Sequence, residues 1–338
     1  MAGIDPRADA AHLAGHGFRA RVLEPSPPPV TDAPWFADDP VNAAIDGDGP
    51  LVSPAGNCDV TWHDLTTDDP RLAPFCAEHW LGAWRELPPV ADVARFLRTR
   101  RAWHAAAEHL LAPSRFAATG RIGLRFTAGG FGTPFFAHDG ASVQLRVEGA
   151  ELVVVRCAMS TTVTRVPLRD ALQNGHEIDA AIVAPGTTLE LPYQATTTPT
   201  PEVLGGADDA SAALLGDWFG FGCSVLETLR AGAPDADATR CQLWPEHFDL
   251  AVELGDAANG NEGRGQRAAF GASPGDTEHP EPYLYVSPWA APPDDPYWND
   301  TAFRGASLPY TALTGDPIAA RSTALAFLAR GRELLTRG

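Results

Sequence analysis

The segment WPEHFDLAVEL, from Trp244 to Leu254, holds the densest cluster of reactive side chains in the sequence. Apolar and polar residues alternate along it with the period of two that is typical of a β-strand with one buried face. In a continuous strand, Phe248 would point toward the core, and His247 and Asp249 would share the opposite face. An imidazole and a carboxylate on one face can act as a general acid and base. The sequence therefore predicts His247 and Asp249 as candidate catalytic residues.

A second histidine and carboxylate pair follows in the segment HPEPY, where His279 and Glu281 have the same two-residue spacing. If the two segments converge, His247, Asp249, His279 and Glu281 could bind a divalent zinc, iron or manganese ion. The alternative is that these side chains lie on the exposed face of a strand and in a rigid loop, without a function. The sequence leaves both interpretations open.

Aromatic and arginine side chains provide candidate ligand-binding residues. Trp244, Tyr283 and Tyr285 lie on predicted strands, and such residues line pockets for flat or sugar-like ligands as well as ordinary cores. Arg121 and Arg125 fall on the polar face of the predicted strand RIGLRFT. They could bind a ligand carboxylate, or pair with the acidic residues of the protein itself.

The charge balance limits the partners of the chain. It has 25 basic and 43 acidic residues, for a formal net charge of −18. A strongly negative protein repels polyanions, so we expect no nucleic-acid partner and no binding to anionic membranes. The N-terminal residues lack the charge and apolar pattern of a signal peptide, and the sequence has no apolar run of about 18 residues. These features predict a cytoplasmic protein.

The sequence contains no lysine, which excludes several cofactors and reactions. A pyridoxal phosphate Schiff base, a biotinyl or lipoyl group and a P-loop all require a lysine amine. A divalent metal ion is the cofactor that remains as a candidate. The 5 cysteines are scattered and form no C-x-x-C pair, a pattern that favours reduced thiols over a disulfide framework.

The order of predicted elements indicates the fold class. Three helical patterns, one of them interrupted by Gly220 and Gly222, are separated by groups of alternating strands and a short helix that Gly175 is expected to end. Glycines within a helix indicate close approach to a neighbouring element. The main helices are predicted over 89–113, where Pro113 should end the helix, 211–230, and 317–335, where Asp316 should cap it. The sequence therefore predicts an α+β fold with antiparallel β-sheet groups flanked by three main helices.

The domain organisation follows from composition. Residues 24–50 are rich in proline and acidic residues and contain few apolar ones. Such a composition is typical of an extended segment. We predict an extended, partly disordered arm over residues 1–50 and a single globular α+β domain over residues 51–338.

Several short motifs occur in a fixed order from about residue 90 onward. They are GRIGL at 120–124, the W-x(3)-F-D-L-A segment beginning at Trp244, the segment from Pro274 and Gly275 to PYLYV, and LPY before the last helix. In this order the chain resembles a family of bacterial proteins known only as a domain of unknown function. The resemblance implies a shared fold and no activity, because the family's function is unassigned. The chain departs from the family pattern at Arg121, where lysine is usual, and the pattern does not require His247.

Three functional hypotheses follow. In the first, the protein binds a small molecule in a cleft between its two groups of strands, through His247, Asp249, Tyr283 and one of the strand arginines. In the second, it is a metal-dependent or His/Asp acid-base enzyme of hydrolase type. In the third, it is a structural or partner-binding module without an active site.

Overall fold

A computed structural model describes residues 86–338, apart from 128, 135, 158–160, 234–237, 240, 256–266 and 337–338. The predicted arm over residues 1–50 and the first part of the predicted globular domain lie outside the described residues. The described part of the chain contains helices and two antiparallel β-sheets, so the predicted α+β class is confirmed.

The helices and strands have the following bounds. The helices are α1 Val93–Ala106, α2 Ala112–Thr119, α3 Leu168–Ile178, α4 Pro201–Leu204, α5 Asp209–Ala231 and α6 Pro317–Thr336. The strands are β1 Arg125–Thr127, β2 Gly130–Gly132, β3 Phe136–His138, β4 Ala141–Glu148, β5 Glu151–Cys157, β6 Thr161–Pro167, β7 Gln242–Trp244, β8 Asp249–Leu254, β9 Ala268–Ser273, β10 Tyr283–Pro288 and β11 Ala306–Pro309. A 3-10 turn, Tyr310–Leu313, precedes α6.

The two groups of strands form two sheets that meet at one point. The first sheet has the order β1-β2-β4-β5-β6, with β3 paired to β4, and the second has the order β11-β10-β9-β8-β7. The backbones of Leu124 and Leu243 exchange hydrogen bonds of 2.7 and 2.8 Å beside the edge strands β1 and β7. Helix α5 packs across both sheets, and the buried Trp218 and Phe219 of α5 belong to a hydrophobic cluster that includes strands from each.

The first long helix does not end at Pro113, contrary to the prediction. Helix α1 is followed by a π-helical turn, Ala107–Leu111, and by α2, which runs to Thr119. Pro113 lies in the first turn of α2, where the missing N–H and the ring of proline are tolerated. The chain leaves the helix at Gly120, which has a φ of 71° and donates its N–H to the carbonyl of Phe116 at 2.8 Å.

The remaining helix ends test the other predictions from sequence. Helix α3 continues past Gly175 to Ile178, so the prediction that Gly175 ends it is wrong. Gly175 is buried, and a β-carbon there would lie 3.2 Å from the Ile182 side chain, so its small size serves packing. The start of α6 is confirmed, because Asp316 accepts a hydrogen bond of 2.7 Å from the N–H of Ala319. Among the described residues, no helix combines the length and apolarity that a membrane crossing requires.

Gly222 of α5 lies against strand β9, as its position within the helix predicts. A β-carbon at position 222 would lie 2.5 Å from the β-carbon of Ala272 and 3.7 Å from the Leu250 side chain. Leu250 and Ala272 are register partners on β8 and β9. Helix α5 therefore covers this face of the second sheet, and the opposite face is left for other contacts.

We expect the substitution G222A to destabilise the protein by about 1 kcal/mol. Alanine favours a helix over glycine by about 1 kcal/mol, but forcing a methyl group against Ala272 costs about 1–3 kcal/mol, so overpacking should prevail. The control is G232A at the end of α5, where a β-carbon would make only ordinary contacts at 3.5 Å. Urea unfolding measures both. A G222A variant as stable as the wild type would contradict the close approach.

Two described cysteines agree with the predicted reduced thiols. Cys223 on α5 and Cys241 just before β7 are free, and Cys241 is buried. A hydrogen bond with the Cys223 thiol, together with burial, raises the pKa of the Cys241 thiol. Cys241 is therefore a protonated core residue rather than a reactive thiolate.

Candidate functional site

An open cleft with a volume of about 1150 Å³ lies on the face of the second sheet that α5 does not cover. Its walls are α1, the turn between β7 and β8, and the segments that flank β10. Six of the residues proposed from the sequence line it: Trp244, His247, Asp249, His279, Tyr283 and Tyr285. The structure therefore brings the two histidine-containing segments to one cleft.

The segment WPEHFDLAVEL is a hairpin rather than one continuous strand. Trp244 ends β7, Asp249 begins β8, and the two residues are register partners across a four-residue turn. The N–H of Phe248 donates to the carbonyl of Trp244 at 2.7 Å. Phe248 has a φ of 54°, a value that is rare for an aromatic residue. Pro245, which cannot donate a ladder hydrogen bond, opens the turn, and His247 is exposed within it.

The left-handed backbone at Phe248 directs its ring into the core beside the cleft. The ring is 2% exposed and stacks on the His104 ring with centroids 5.1 Å apart. It also makes edge contacts with Phe131 and Phe219 at 5.3 and 5.4 Å. These contacts stabilise the turn conformation, which places Asp249 as the first residue of β8.

The predicted alternation is observed along β8 itself. Leu250 and Val252 are fully buried on the side of α5, whereas Asp249, Ala251 and Glu253 line the cleft. The alternation was predicted correctly because it depends only on the local pleat of the strand.

Tyr285 reaches Asp249 across the intervening strand β9. The register places Gly271 between Ala251 of β8 and Tyr285 of β10. A β-carbon at position 271 would lie 2.3 Å from atoms of the Tyr285 ring, so the ring lies directly over this glycine. The Tyr285 hydroxyl donates a short hydrogen bond to Oδ2 of Asp249. Gly271 thus creates the space for this contact.

Asp249 is a buried carboxylate that lines the cleft. Its side chain is 6% exposed, Oδ2 accepts from Tyr285, and Oδ1 has no hydrogen-bond partner among the described residues. Burial raises the pKa of Asp249, and the nearby His247 and the Tyr285 hydrogen bond offset only part of that rise. Burial and the adjacent Asp249 charge also raise the pKa of Tyr285. Asp249 can therefore accept a further hydrogen bond at Oδ1, or hold a proton at a higher pH than an ordinary aspartate does.

Glu246 is a second cleft carboxylate that the sequence analysis missed. It is half-buried in the turn, and its Oε2 has no hydrogen-bond partner among the described residues. Burial raises the pKa of Glu246, and the negative charges of Asp249 and Glu108 add to that effect while His247 opposes it. A carboxylate in WPEHFD was visible in the sequence, but in a continuous strand Glu246 would point away from His247 and Asp249.

His279 is held in the cleft wall by a neighbouring carboxylate. Its Nε2 lies 3.0 Å from Oδ2 of Asp300, and its ring lies 4.5 Å from the ring of Tyr283. Asp276 accepts the backbone N–H of His279 at 2.7 Å and the Tyr283 hydroxyl at 2.6 Å. Burial alone would raise the pKa of Asp276, but these hydrogen bonds lower it overall.

The predicted metal set of His247, Asp249, His279 and Glu281 is not assembled. Within the described ranges, no group of three or more histidine, cysteine, aspartate or glutamate side chains is arranged to hold a metal ion. Glu281 is not among the residues that line the cleft, and His279 is paired with Asp300. The prediction of a divalent ion therefore has no ligand set in the described part of the chain.

Arg121 and Arg125, which the sequence proposes as ligand-binding residues, do not line the cleft. Each is 4% exposed, and Arg125 donates to the carbonyl of Leu124 at 3.3 Å. The strand pattern suggested a solvent-exposed face, but β1 is short and buried at every position. Both faces are covered because the second sheet joins the first beside β1.

Arg100 and Arg101 on α1 are the arginines of the cleft. The Arg100 guanidinium donates to the carbonyls of Pro274, Asp276 and Pro280 at 3.5, 3.1 and 3.3 Å. Burial lowers the pKa of Arg100, and the nearby Asp276 opposes this effect. Arg100 therefore connects α1 to the loop that contains His279 through these hydrogen bonds. Arg101 is exposed.

Glu108, a buried carboxylate on the π-helical turn, hydrogen-bonds Thr196 of the cleft wall. Glu108 is 1% exposed. Oε1 accepts the N–H and hydroxyl of Thr196 at 2.7 and 3.1 Å, and Oε2 accepts the N–H and hydroxyl of Thr197 at 2.8 and 2.5 Å. His104, which lines the cleft, has Nε2 3.5 Å from Oε1. Burial favours a higher pKa for Glu108, but these hydrogen bonds prevail and lower it to about 2.

The comparisons with known proteins yield no relative. No family model matches the chain, and no curated protein or solved structure gives a significant match. The resemblance to a bacterial domain of unknown function therefore stays a prediction, and the function must be argued from the cleft.

Proposed function

We propose that the protein binds a small organic molecule in this cleft, and that a donor group of the ligand hydrogen-bonds to Oδ1 of Asp249. The observation that carries the proposal is a carboxylate that is 6% exposed, lines the cleft and has one oxygen without a partner among the described residues. A buried polar atom left without a hydrogen bond costs about 1–3 kcal/mol. A ligand N–H or O–H would remove that cost.

The other walls suit an organic ligand. Trp244, Tyr283 and Phe303 provide aromatic surface, and Ala251 and Ala269 form a low floor between the polar side chains. The volume of about 1150 Å³ slightly exceeds the range of about 300–1000 Å³ that is usual for ligand sites. A ligand of cofactor or metabolite size would therefore fit.

The same geometry favours an acid-base enzyme as the second candidate. Burial raises the pKa of Asp249 and of Glu246, and His247 lies beside both in the turn. A carboxyl group that retains a proton closer to neutral pH can act as a general acid, as hydrolases require. In this case Asp249 or Glu246 would exchange a proton with a bound substrate.

A thermal-shift screen with metabolites, on the wild type and on D249N, tests the proposal. A ligand at 100 times its Kd stabilises the native state by about 2.7 kcal/mol, so hits should raise the Tm of the wild type. D249N should lose most of that shift because its side chain no longer offers two equivalent acceptors. D294N, which alters an exposed carboxylate outside the cleft lining, should keep it. A complete lack of shifts would favour the structural or partner-binding module.

A further inference from the structure

Three basic side chains that line the cleft lie close to acceptors of the protein itself. Arg100 donates to three carbonyls, and His279 lies 3.0 Å from the Asp300 carboxylate. His104 lies 3.5 Å from the carboxylate of Glu108 and stacks on the core. Arg100 and Nε2 of His279 therefore already face acceptors of the protein itself, so they are poorly placed to attract an anionic ligand.

Two further basic groups, Arg101 and His247, are exposed. Exposed charges contribute little to binding energy because water and salt screen them. Their presence therefore does not determine the charge of a ligand that enters the cleft.

The carboxylates that line the cleft differ in whether their oxygens already have partners in the protein. Glu253 pairs with Arg267 at 3.0 Å, and Asp276 accepts hydrogen bonds from its own loop. Asp249 and Glu246 are different, because each keeps one buried oxygen without a hydrogen-bond partner among the described residues. Glu246 lies in the turn and Asp249 follows three positions later at the start of β8, and both line the cleft. The negative charge of Asp249 lies close enough to contribute to the raised pKa of Glu246, after the larger effect of burial.

We propose that the ligand of the cleft is an organic cation, an amine, amidine or guanidinium, whose N–H groups donate to Oδ1 of Asp249 and Oε2 of Glu246. This inference rests on the proposed function and specifies its ligand class. A cation satisfies both buried acceptors and also removes the repulsion between two carboxylates, which a neutral donor cannot do. The net charge of −18 attracts cations over a long range as well.

The aromatic wall suits the same ligand class. Trp244, the last residue of β7, precedes the turn that carries Glu246, and Tyr285 donates to Oδ2 of Asp249. Indole and phenol faces attract cations through their quadrupoles, with an energy of about 0.5–2 kcal/mol per contact. Since Tyr285 already occupies Oδ2 of Asp249, the cation would be directed toward Oδ1 and Glu246.

Three planar probes of matched shape and different charge test the ligand class. Benzamidine is a cation at neutral pH, benzamide is neutral and benzoate is an anion. Isothermal titration calorimetry of the full chain at low ionic strength should show benzamidine binding at least tenfold more tightly than benzamide. Benzoate should show no binding at millimolar concentration, because Asp249 and Glu246 would repel it.

Variants assign the effect to the buried pair. D249N should weaken benzamidine binding at least tenfold, and E246Q should weaken it several-fold. E278Q removes one negative charge from an exposed position of the same cleft and should change the affinity less than twofold. If D249N fails to fold, E246Q still tests the pair, because Glu246 lies in the turn and is half-buried.

The outcomes separate this inference from the proposed function. The inference of a cationic ligand is wrong if benzamide binds as tightly as benzamidine or if benzamidine does not bind. It is also wrong if D249N and E246Q leave the affinity for benzamidine unchanged. In those cases, hits from the metabolite screen that depend on Asp249 would leave the proposed function intact. If neither the probes nor the metabolites bind, both proposals fail.

Discussion

Replacing Glu108 by alanine is expected to lower the free energy of unfolding by about 3 kcal/mol or more. The carboxylate accepts hydrogen bonds from the N–H and hydroxyl groups of both Thr196 and Thr197, and its removal would leave these donors facing a buried cavity. Thr196 also lines the cleft, so E108A should loosen one cleft wall. Urea unfolding measures the loss, with the exposed E190Q as a control that should change stability by less than about 0.5 kcal/mol.

The pH dependence of stability tests the same carboxylate. Its pKa falls from an ordinary 4.5 to about 2 in the folded protein. A lowered folded pKa means that the stabilisation is fully present above pH 4.5 and is lost as the pH falls through 2. That contribution is up to about 3 kcal/mol. The difference in unfolding free energy between the wild type and E108Q should therefore shrink as the pH falls below 4.5.

A constant difference between the wild type and E108Q from pH 6 down to pH 3 would contradict this role of Glu108. Unfolding in urea at several pH values provides the measurement. E190Q, which replaces an exposed carboxylate, is the control in this series as well.

The substitution G271V is expected to destabilise the protein by about 3 kcal/mol and to abolish ligand binding in the cleft. A β-carbon at position 271 would lie 2.3 Å from the Tyr285 ring, far inside normal contact distance. The ring must then leave β9, and Asp249 loses its hydrogen bond from the Tyr285 hydroxyl. Urea unfolding and benzamidine titration measure the two effects.

A double-mutant cycle identifies the cause of the G271V effect. Y285A removes the ring, so the pair G271V and Y285A should be less destabilising than the sum of the single substitutions. Y285F, which removes only the hydroxyl, should cost about 1 kcal/mol and weaken binding less than G271V. Additive effects in the cycle would show that the ring does not lie over Gly271.

Local patterns predicted the parts of the fold that depend on neighbours in sequence. The alternation along Leu250 and Val252 and the cap at Asp316 are observed, because pleat and capping are set by residues a few positions apart. Pro113 and Gly175 were misread as helix ends. The first long helix continues through Pro113 because a π-helical turn precedes it, and α3 continues past Gly175 because the glycine packs against Ile182. Neither feature can be recognised in a short window of sequence.

The site was predicted in part. Asp249, His279 and Tyr285 line one cleft, but the continuous strand from Trp244 to Leu254 is a hairpin. The turn depends on the positive φ of Phe248, which contacts from Phe131 and Phe219 stabilise. Because those contacts come from distant segments, no periodicity within the motif could reveal them.

The sequence by itself determined the limits on chemistry and the local faces. The absence of lysine predicts that the chain carries no pyridoxal phosphate Schiff base and no biotinyl or lipoyl group, and alternation places Asp249 and Glu253 on one side of β8. The tertiary structure decided which carboxylates of the cleft are paired with an arginine and which are not. Glu253 is neutralised by Arg267, whereas Asp249 and Glu246 keep a buried oxygen without a hydrogen-bond partner among the described residues. The burial of a carboxylate and its pairing with a cation depend on segments that only the folded chain brings together. Carboxylates of one short segment therefore differ in burial and in hydrogen-bond partners.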